Sequence, residues 1–379
     1  MDKNEHQYPN LSVIEDQVCI CGWQTDTLLI NQGQRHSTDD DDVSSRRNQR
    51  NSSAHTLIIF IPGNPGVIHW YTDLLAQIIN HLGNGFAARG VSYAGHGVGD
   101  DVVGTNADHN QSFHSEHLAN EINVNAQQKN MRIPWTMDGQ IEHKIEYVDK
   151  VLEDWRQEST SSTPNLVFIS HSIGAYFVQC LLLRRPDILA KTSHVIHLMP
   201  FFRFDPPPLK KLLLSSTAHS YKYTIPTMTM LVGALSSIFP RDWIGLYLDK
   251  VLGVKCPKGR AISLDILAHP NMVKNHLVLG FQEIRELPEF PNDVALRLIN
   301  LPHSILFCGN DMWAPEFHMR DLHCMKRHTE IPNNIHLEYL KLRHDFVVRP
   351  DQIQHVVRLC VQRVKSGGAV PSQDPRSRL

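Results

Sequence analysis

The run Val167-Phe168-Ile169-Ser170-His171-Ser172-Ile173-Gly174-Ala175 constrains this chain more than any other segment of its 379 residues. Leu166 to Ile169 are consecutive apolar residues, the mark of a strand buried on both faces of a sheet. From Gly174 to Leu183 the sequence reads as a helix, and Ser172 falls at the sharp turn between the two. Strand, serine and helix in that order build a strained elbow that lifts a hydroxyl above the carboxyl edge of a parallel sheet. The usual pattern is Gly-x-Ser-x-Gly, with small residues because the strand and helix backbones nearly touch. Here Ser170 stands at the first glycine, and Gly174 keeps the second. The expected fold is therefore α/β, with a mostly parallel central sheet flanked by helices, and Ser172 is the candidate nucleophile.

An elbow of this kind predicts where its partners lie, in the order Ser, then Asp or Glu, then His. Ser304 to Cys308 is a second apolar run, and Gly309-Asn310-Asp311 follows it. Asp311 is thus expected just past a strand, at the carboxyl edge of the sheet. Ile335 to Leu340 alternates as a late strand, and His344 occupies the loop after it. Ser172 would attack a carbonyl, His344 would take its proton, and Asp311 would orient and stabilise the imidazolium. Asp345 and Asp321 are rival acids, although adjacency to His344 makes side-chain pairing awkward for Asp345. The chain has 23 histidines, so order and position carry the choice of His344.

Oxyanion stabilisation needs two backbone amides. Thr56 to Ile61 reads as a buried strand that ends at Pro62-Gly63-Asn64-Pro65-Gly66, a turn in which an amide can face inward. The expected donors are the N–H groups of Asn64 and of Ile173, the residue after the nucleophile. Gly63, Pro65, His96 and His171 are expected to line the substrate site.

Several of these segments, taken together, resemble the lipid droplet-associated hydrolase family of serine esterase/lipase-like α/β-hydrolases. They are Ile61-Pro62-Gly63-Asn64-Pro65-Gly66 with Trp70-Tyr71, Ser92-Tyr93-Ala94-Gly95-His96, Gly139-Gln140-Ile141-Glu142-His143-Lys144 and His171-Ser172-Ile173-Gly174-Ala175-Tyr176. The Gly-Gln-Ile-Glu-His-Lys run is the most distinctive, and the resemblance spans roughly Val18 to Val364. It implies an α/β-hydrolase fold with a helical lid and the triad Ser172, Asp311 and His344. It also implies neutral-lipid or sterol-ester-like substrates, and a lipid droplet or endoplasmic reticulum surface as workplace. Ser170 at the first elbow glycine and the charged Arg343-His344-Asp345 depart from the family pattern.

Composition fits a globular enzyme: 41% hydrophobic and 20% charged residues, with a net charge of -2 that argues against broad nucleic-acid binding. Seven cysteines without a regular framework suggest reduced thiols. No Cys/His cluster has zinc-site spacing, so neither a metal nor another cofactor is expected. Residues 1–16 are expected to be a flexible N-terminus, and 17–365 the hydrolase domain. Two polar stretches, 31–55 and 97–138, read as disordered insertions. Ile141 to Trp155 has helical periodicity, and its Gln140, Glu142 and His143 read as structural hydrogen-bonding residues. Asp351 to Val364 is expected to pack as a final helix.

The region 201–291, after the strand His194 to Met199, is where a lid is expected. Within it Tyr223 to Pro240 carries no formal charge but is interrupted by Pro226 and Gly233, and Trp243 to Leu248 continues the apolar character. The segment 223–248 reads as a lid that contacts a lipid surface without crossing it. A flexible tail, 366–379, ends in Ser377-Arg378-Leu379, a variant of the peroxisomal address that would engage an import receptor. The expected activity is cleavage of hydrophobic carboxylic esters through an acyl-serine. The alternatives are a peroxisomal acyl-thioesterase and a non-catalytic lipid-droplet surface protein of the same fold. Dehalogenase and epoxide-hydrolase chemistry on this fold needs an Asp nucleophile, which Ser172 disfavours.

Overall fold

A computed structural model of the chain describes residues 8–32, 55–97, 136–158, 163–206, 208–287, 300–309, 311–328 and 330–367. Eight strands make one sheet: β1 (Leu11–Ile20), β2 (Trp23–Gln32), β3 (Thr56–Ile61), β4 (Phe86–Val91), β5 (Asn165–His171), β6 (Thr192–Leu198), β7 (His303–Cys308) and β8 (Ile335–Leu340). Their order is β1-β2-β4-β3-β5-β6-β7-β8. β1 and β2 pair antiparallel, as do β2 and β4; every pair from β4 through β8 is parallel. Parallel strands must be joined by crossovers that return over a face of the sheet, so both faces become covered. This is why β3 and β7 are buried along their whole length.

Helices Thr72–Leu82 and Pro350–Lys365 cover one face, joining Leu74, Leu75, Ile78, Val356 and Val357 to Ile58, Phe60 and Ile305 in one core. Met137–Glu158 and Gly174–Arg184 cover the other, where Val148, Val151, Trp155, Phe177 and Val178 pack on Leu57, Ile59 and Phe168.

Three boundaries differ from the sequence expectation. β1 begins at Leu11, inside the stretch expected to be flexible, because backbone pairing to β2 (Val13 to Ile30, for example) orders an edge strand whose own side chains are mostly exposed. β2 runs through Gln32, and the helix expected to begin near Ile141 begins at Met137. The interiors of the two polar insertions, 33–54 and 98–135, lie outside the described residues, as do 368–379 with Ser377, Arg378 and Leu379.

Between β6 and β7 the chain leaves the sheet and forms helices Pro208–His219, Tyr221–Ile238, Arg241–Tyr247, Pro257–Ala268 and Pro270–Glu286. Pro226 and Gly233 do not break Tyr221–Ile238. Pro226 lies near its start, where the missing N–H forfeits a single i→i−4 bond. No helix among the described residues is long and apolar enough to cross a membrane. The outward side of the insert is apolar nonetheless: Leu209, Met230 and Ile238 are 71–72% exposed, and Trp243 is 66% exposed.

Candidate active site

β5 delivers Ser172 directly. The serine follows His171, the last residue of the strand, and precedes Gly174, the first of the helix, with φ at 51°. A non-glycine residue in the left-handed region is strained; here bonds on both sides hold it, from Ser172 N–H to Leu198 O at 3.0 Å and from Phe201 N–H to Ser172 O at 3.0 Å. Gly174 is required by crowding. A Cβ on it would meet Pro62 O at 2.4 Å and Ile61 O at 2.5 Å. Ser170 can replace the first elbow glycine because its hydroxyl finds a partner in the sheet, 2.7 Å from Nδ1 of His197 on β6.

Asp311 lies just beyond β7 and His344 just beyond β8, both at the carboxyl edge that carries Ser172. The structure brings the three together. His344 Nε2 is 3.0 Å from Ser172 Oγ, and His344 Nδ1 is 2.6 Å from Asp311 Oδ2. With Nδ1–H donated to the carboxylate, Nε2 is the acceptor for the serine hydroxyl. Asp311 also accepts from Trp313 N–H at 2.8 Å and from Cys308 Sγ–H at 3.3 Å. Burial pushes its carboxyl upward, but the His344 hydrogen bond and charge, with the amides of Ala314 and Trp313, carry it below the ordinary value. The acid is therefore ionised at neutral pH and aimed at the imidazole. The rival acids are engaged elsewhere: Asp345 forms a fork with Arg349 at 2.8 and 3.0 Å, and Asp321 pairs with Arg203.

Cys308, Asp311 and His344 are, among the described residues, the group whose donor atoms lie close enough to hold a metal ion, within 4.8 Å of one another. Those atoms are already hydrogen-bonded among themselves. A depression of about 860 Å³ opens beside this acid–base pair, bordered by Trp313, Tyr339, Lys341 and Arg343.

The loop after β3 approaches the serine closely. A Cβ on Gly63 would stand 2.7 Å from Ser172 Cβ, so Asn64 follows directly at the nucleophile. Ile173 is the N-cap of the Gly174–Arg184 helix, where first-turn amides have no intrahelical acceptor. The two residues expected to serve an oxyanion thus adjoin Gly63 and Ser172 in the chain. Pro65 follows Asn64 through a cis peptide bond.

His96 and His171 sit deeper than wall residues. His96 is fully buried, with Nδ1 donating to Pro65 O at 2.7 Å, and burial pushes its pKa down to about 3. His171 Nε2 donates to His344 O at 3.0 Å, and its Nδ1 is 2.8 Å from Tyr71 Oη. Tyr71 in turn accepts the Gly63 N–H at 3.2 Å. Tyr71 was not singled out from the sequence, although its presence in the Trp70-Tyr71 pair was a signal. The distinctive Gln140–Lys144 run also lies behind the site. Gln140 brackets Ala94, accepting its N–H at 3.2 Å and donating to its carbonyl at 3.0 Å, and Lys144 Nζ donates to Ser92 O at 3.3 Å. These bonds fix the turn from which Tyr93 Oη–H donates to Pro62 O. The run thereby supports the loop that follows β3.

Such an assembly can generate an alkoxide-like serine, neutralise the proton it loses and receive negative charge on a substrate oxygen. Comparisons with known proteins bear on the family and the fold. A family model described as "Lipid-droplet associated hydrolase" matches residues 54–347. The lipid droplet-associated hydrolase of Rattus norvegicus is 26% identical over 301 residues, covering 77% of this chain and 80% of that protein. The Gallus gallus protein of the same name is 23% identical over 295 residues, with 77% and 80% covered. Among solved structures, an esterase from Exiguobacterium antarcticum superposes with TM-score 0.52 at 13% identity, covering 93% of this chain and 100% of that one. The epoxide hydrolase CorEH superposes with TM-score 0.54 at 11% identity, covering 94% and 99%. At such identities these two likenesses show the α/β-hydrolase fold alone.

Proposed function

We propose that this chain, which belongs to the lipid droplet-associated hydrolase family, is a serine hydrolase that cleaves carboxylic esters of hydrophobic, neutral-lipid or sterol-ester-like substrates at or near lipid droplets. The observation that carries the proposal is the unbroken line of contacts from Ser172 Oγ to His344 at 3.0 Å and from His344 to Asp311 at 2.6 Å. In this reading Ser172 Oγ attacks the ester carbonyl while His344 Nε2 removes its proton. Asp311 stabilises the imidazolium, and the N–H groups of Asn64 and Ile173 receive the oxyanion. The imidazolium then protonates the departing alcohol, leaving an acyl-serine. Water activated by His344 releases the acid and restores the serine, with no cofactor consumed. Gly63 and Pro65 border the reacting carbonyl.

The helices between residues 208 and 286 act as a lid in this reading, and two observations support a lipid surface as its partner. Leu209, Met230, Ile238 and Trp243 are exposed together on one insert, more apolar surface than scattered residues require. The curated relatives that match are named for association with lipid droplets. The test is hydrolysis of short- and long-acyl p-nitrophenyl esters, with and without a lipid emulsion, beside Ser172→Ala. Loss of turnover in the variant and stimulation of the native protein by emulsion are expected. Equal turnover by Ser172→Ala would remove the serine mechanism.

A further inference from the structure

Asn64 is fastened by its side chain to a helix far away in the chain. Its Nδ2 donates to Glu283 Oε1 at 3.1 Å and to the His276 carbonyl at 3.2 Å. Both acceptors belong to Pro270–Glu286 of the insert. Gly280, between them, leaves the room: a Cβ there would stand 3.3 Å from Asn64 Nδ2. Tyr71, Tyr93 and His96 bond the same loop from outside the insert. The clasp on Asn64 crosses to the insert. Glu283 is fully inside the protein, 5% exposed, and it sits at the oxyanion loop rather than at the surface where glutamate belongs.

We infer that Glu283 is a positioning residue for the reaction. It fixes the Asn64 side chain, and through it the peptide whose N–H faces the oxyanion, and it ties that orientation to the seating of the Pro270–Glu286 helix. This deepens the serine-hydrolase reading and rests on it. A carboxamide bonded to two acceptors on one rigid helix has little freedom left in its own backbone, and an oxyanion donor is effective only when it is aimed before the charge develops. The same helix packs against Pro208–His219 and Tyr221–Ile238, the helices that carry exposed Leu209, Tyr223 and Met230. Displacement of that outer layer at a lipid surface is thus transmitted to the oxyanion loop by one intervening helix. Burial pushes the Glu283 carboxyl up to about 8, against the opposing effect of the Asn64 hydrogen bond. At neutral pH it accepts through the carbonyl oxygen of an uncharged acid, a shape that glutamine reproduces.

The experiment compares Glu283→Ala and Glu283→Gln in the full chain. Three readouts are taken: kcat and KM on a soluble short-chain p-nitrophenyl ester, the rate of fluorophosphonate labelling of Ser172, and deuterium uptake in the peptide covering residues 62–67. Glu283→Ala is expected to lower kcat and the labelling rate about 10-fold with KM within about twofold, since the lost alignment matters in the transition state. Its uptake at 62–67 is expected to rise, and Glu283→Gln is expected to restore all three. Asn64→Ala removes the same clasp from the loop side. It is expected to repeat the loss with no further loss in the double variant, and it serves if Glu283→Ala does not fold. A folded Glu283→Ala or Asn64→Ala with native uptake and labelling overturns the inference, as does a Glu283→Gln impaired to the level of the alanine variant. If the native protein is not labelled at all, the serine-hydrolase reading fails, and deuterium uptake still decides whether the clasp holds the loop.

Discussion

Replacing Gly63 by alanine puts a methyl group where the nucleophile is. The added Cβ would lie 2.7 Å from Ser172 Cβ, 3.0 Å from His171 Nδ1 and 3.2 Å from His171 O. None of these is the free end of a flexible side chain. Ser172 Cβ is attached to a strained backbone, and the His171 ring is held at both nitrogens. To reach an ordinary contact of 3.4 Å the loop or the serine must move by about 0.7 Å from the 2.7 Å approach. Misplacement of reacting groups on the 1 Å scale costs on the order of 100-fold, so kcat should fall roughly 10- to 100-fold. Overpacking of this kind also destabilises by about 1–3 kcal/mol. Ester turnover and fluorophosphonate labelling, read beside a thermal melt, separate the two effects. A Gly63→Ala protein that is labelled at the native rate would refute the close approach of the loop to Ser172, and with it the role proposed for Asn64.

Gly233→Ala makes the opposite case: its nearest neighbour is Pro270 Cγ at 3.7 Å, an ordinary contact, so the helix should gain about 0.5–1 kcal/mol and the melting temperature should rise with activity unchanged. Asp311→Asn should lower kcat by roughly 10⁴-fold, as loss of the orienting acid does in triads of this type, while the melting temperature changes little by comparison; turnover within tenfold of native would exclude Asp311. Acid should unfold the protein early. Burial depresses the pKa of His96 and His171 to about 3 and of His194 and His303 to about 4, against an ordinary 6.5. The unfolded chain therefore takes up protons first. This stability is intact above pH 6.5 and is lost as pH falls toward 3–4, at up to about 1.4 kcal/mol per group per pH unit. A melting temperature that is flat from pH 7 to pH 5 would contradict it. Leu209→Ser with Trp243→Ser should reduce flotation with a lipid emulsion and leave soluble-ester turnover at the native level, checked by sucrose-gradient flotation.

Ser172 and Asp311 were legible because each follows an apolar run that reads as an interior strand, and His344 because it follows the alternating edge strand Ile335–Leu340 in the expected chain order. Asn64 and Ile173 were chosen on the same ground, as residues in the turns that follow β3 and β5. What lay beyond reach was contact between elements. Nothing in the pattern around Glu283 announces Asn64, 219 residues away, since a buried glutamate on an amphipathic helix looks like a surface one until the helix is docked. The Tyr71–His171 bond likewise depends on how the first helix seats against β5. His96 and His171 flank the loops expected to line the pocket, but their burial depends on packing that sequence does not encode locally. β1 was underestimated because its order comes from pairing with β2, and its exposed side chains carry little pattern.

A serine mechanism requires a covalent acyl bond to one oxygen, Ser172 Oγ. Intact-protein mass spectrometry of the enzyme quenched in acid during turnover of a long-acyl p-nitrophenyl ester should show a single acyl mass increment. Peptide mapping should place it on Ser172, and Ser172→Ala should show none. An increment located elsewhere, or steady ester turnover in a Ser172→Ala protein, would contradict Ser172 as the nucleophile.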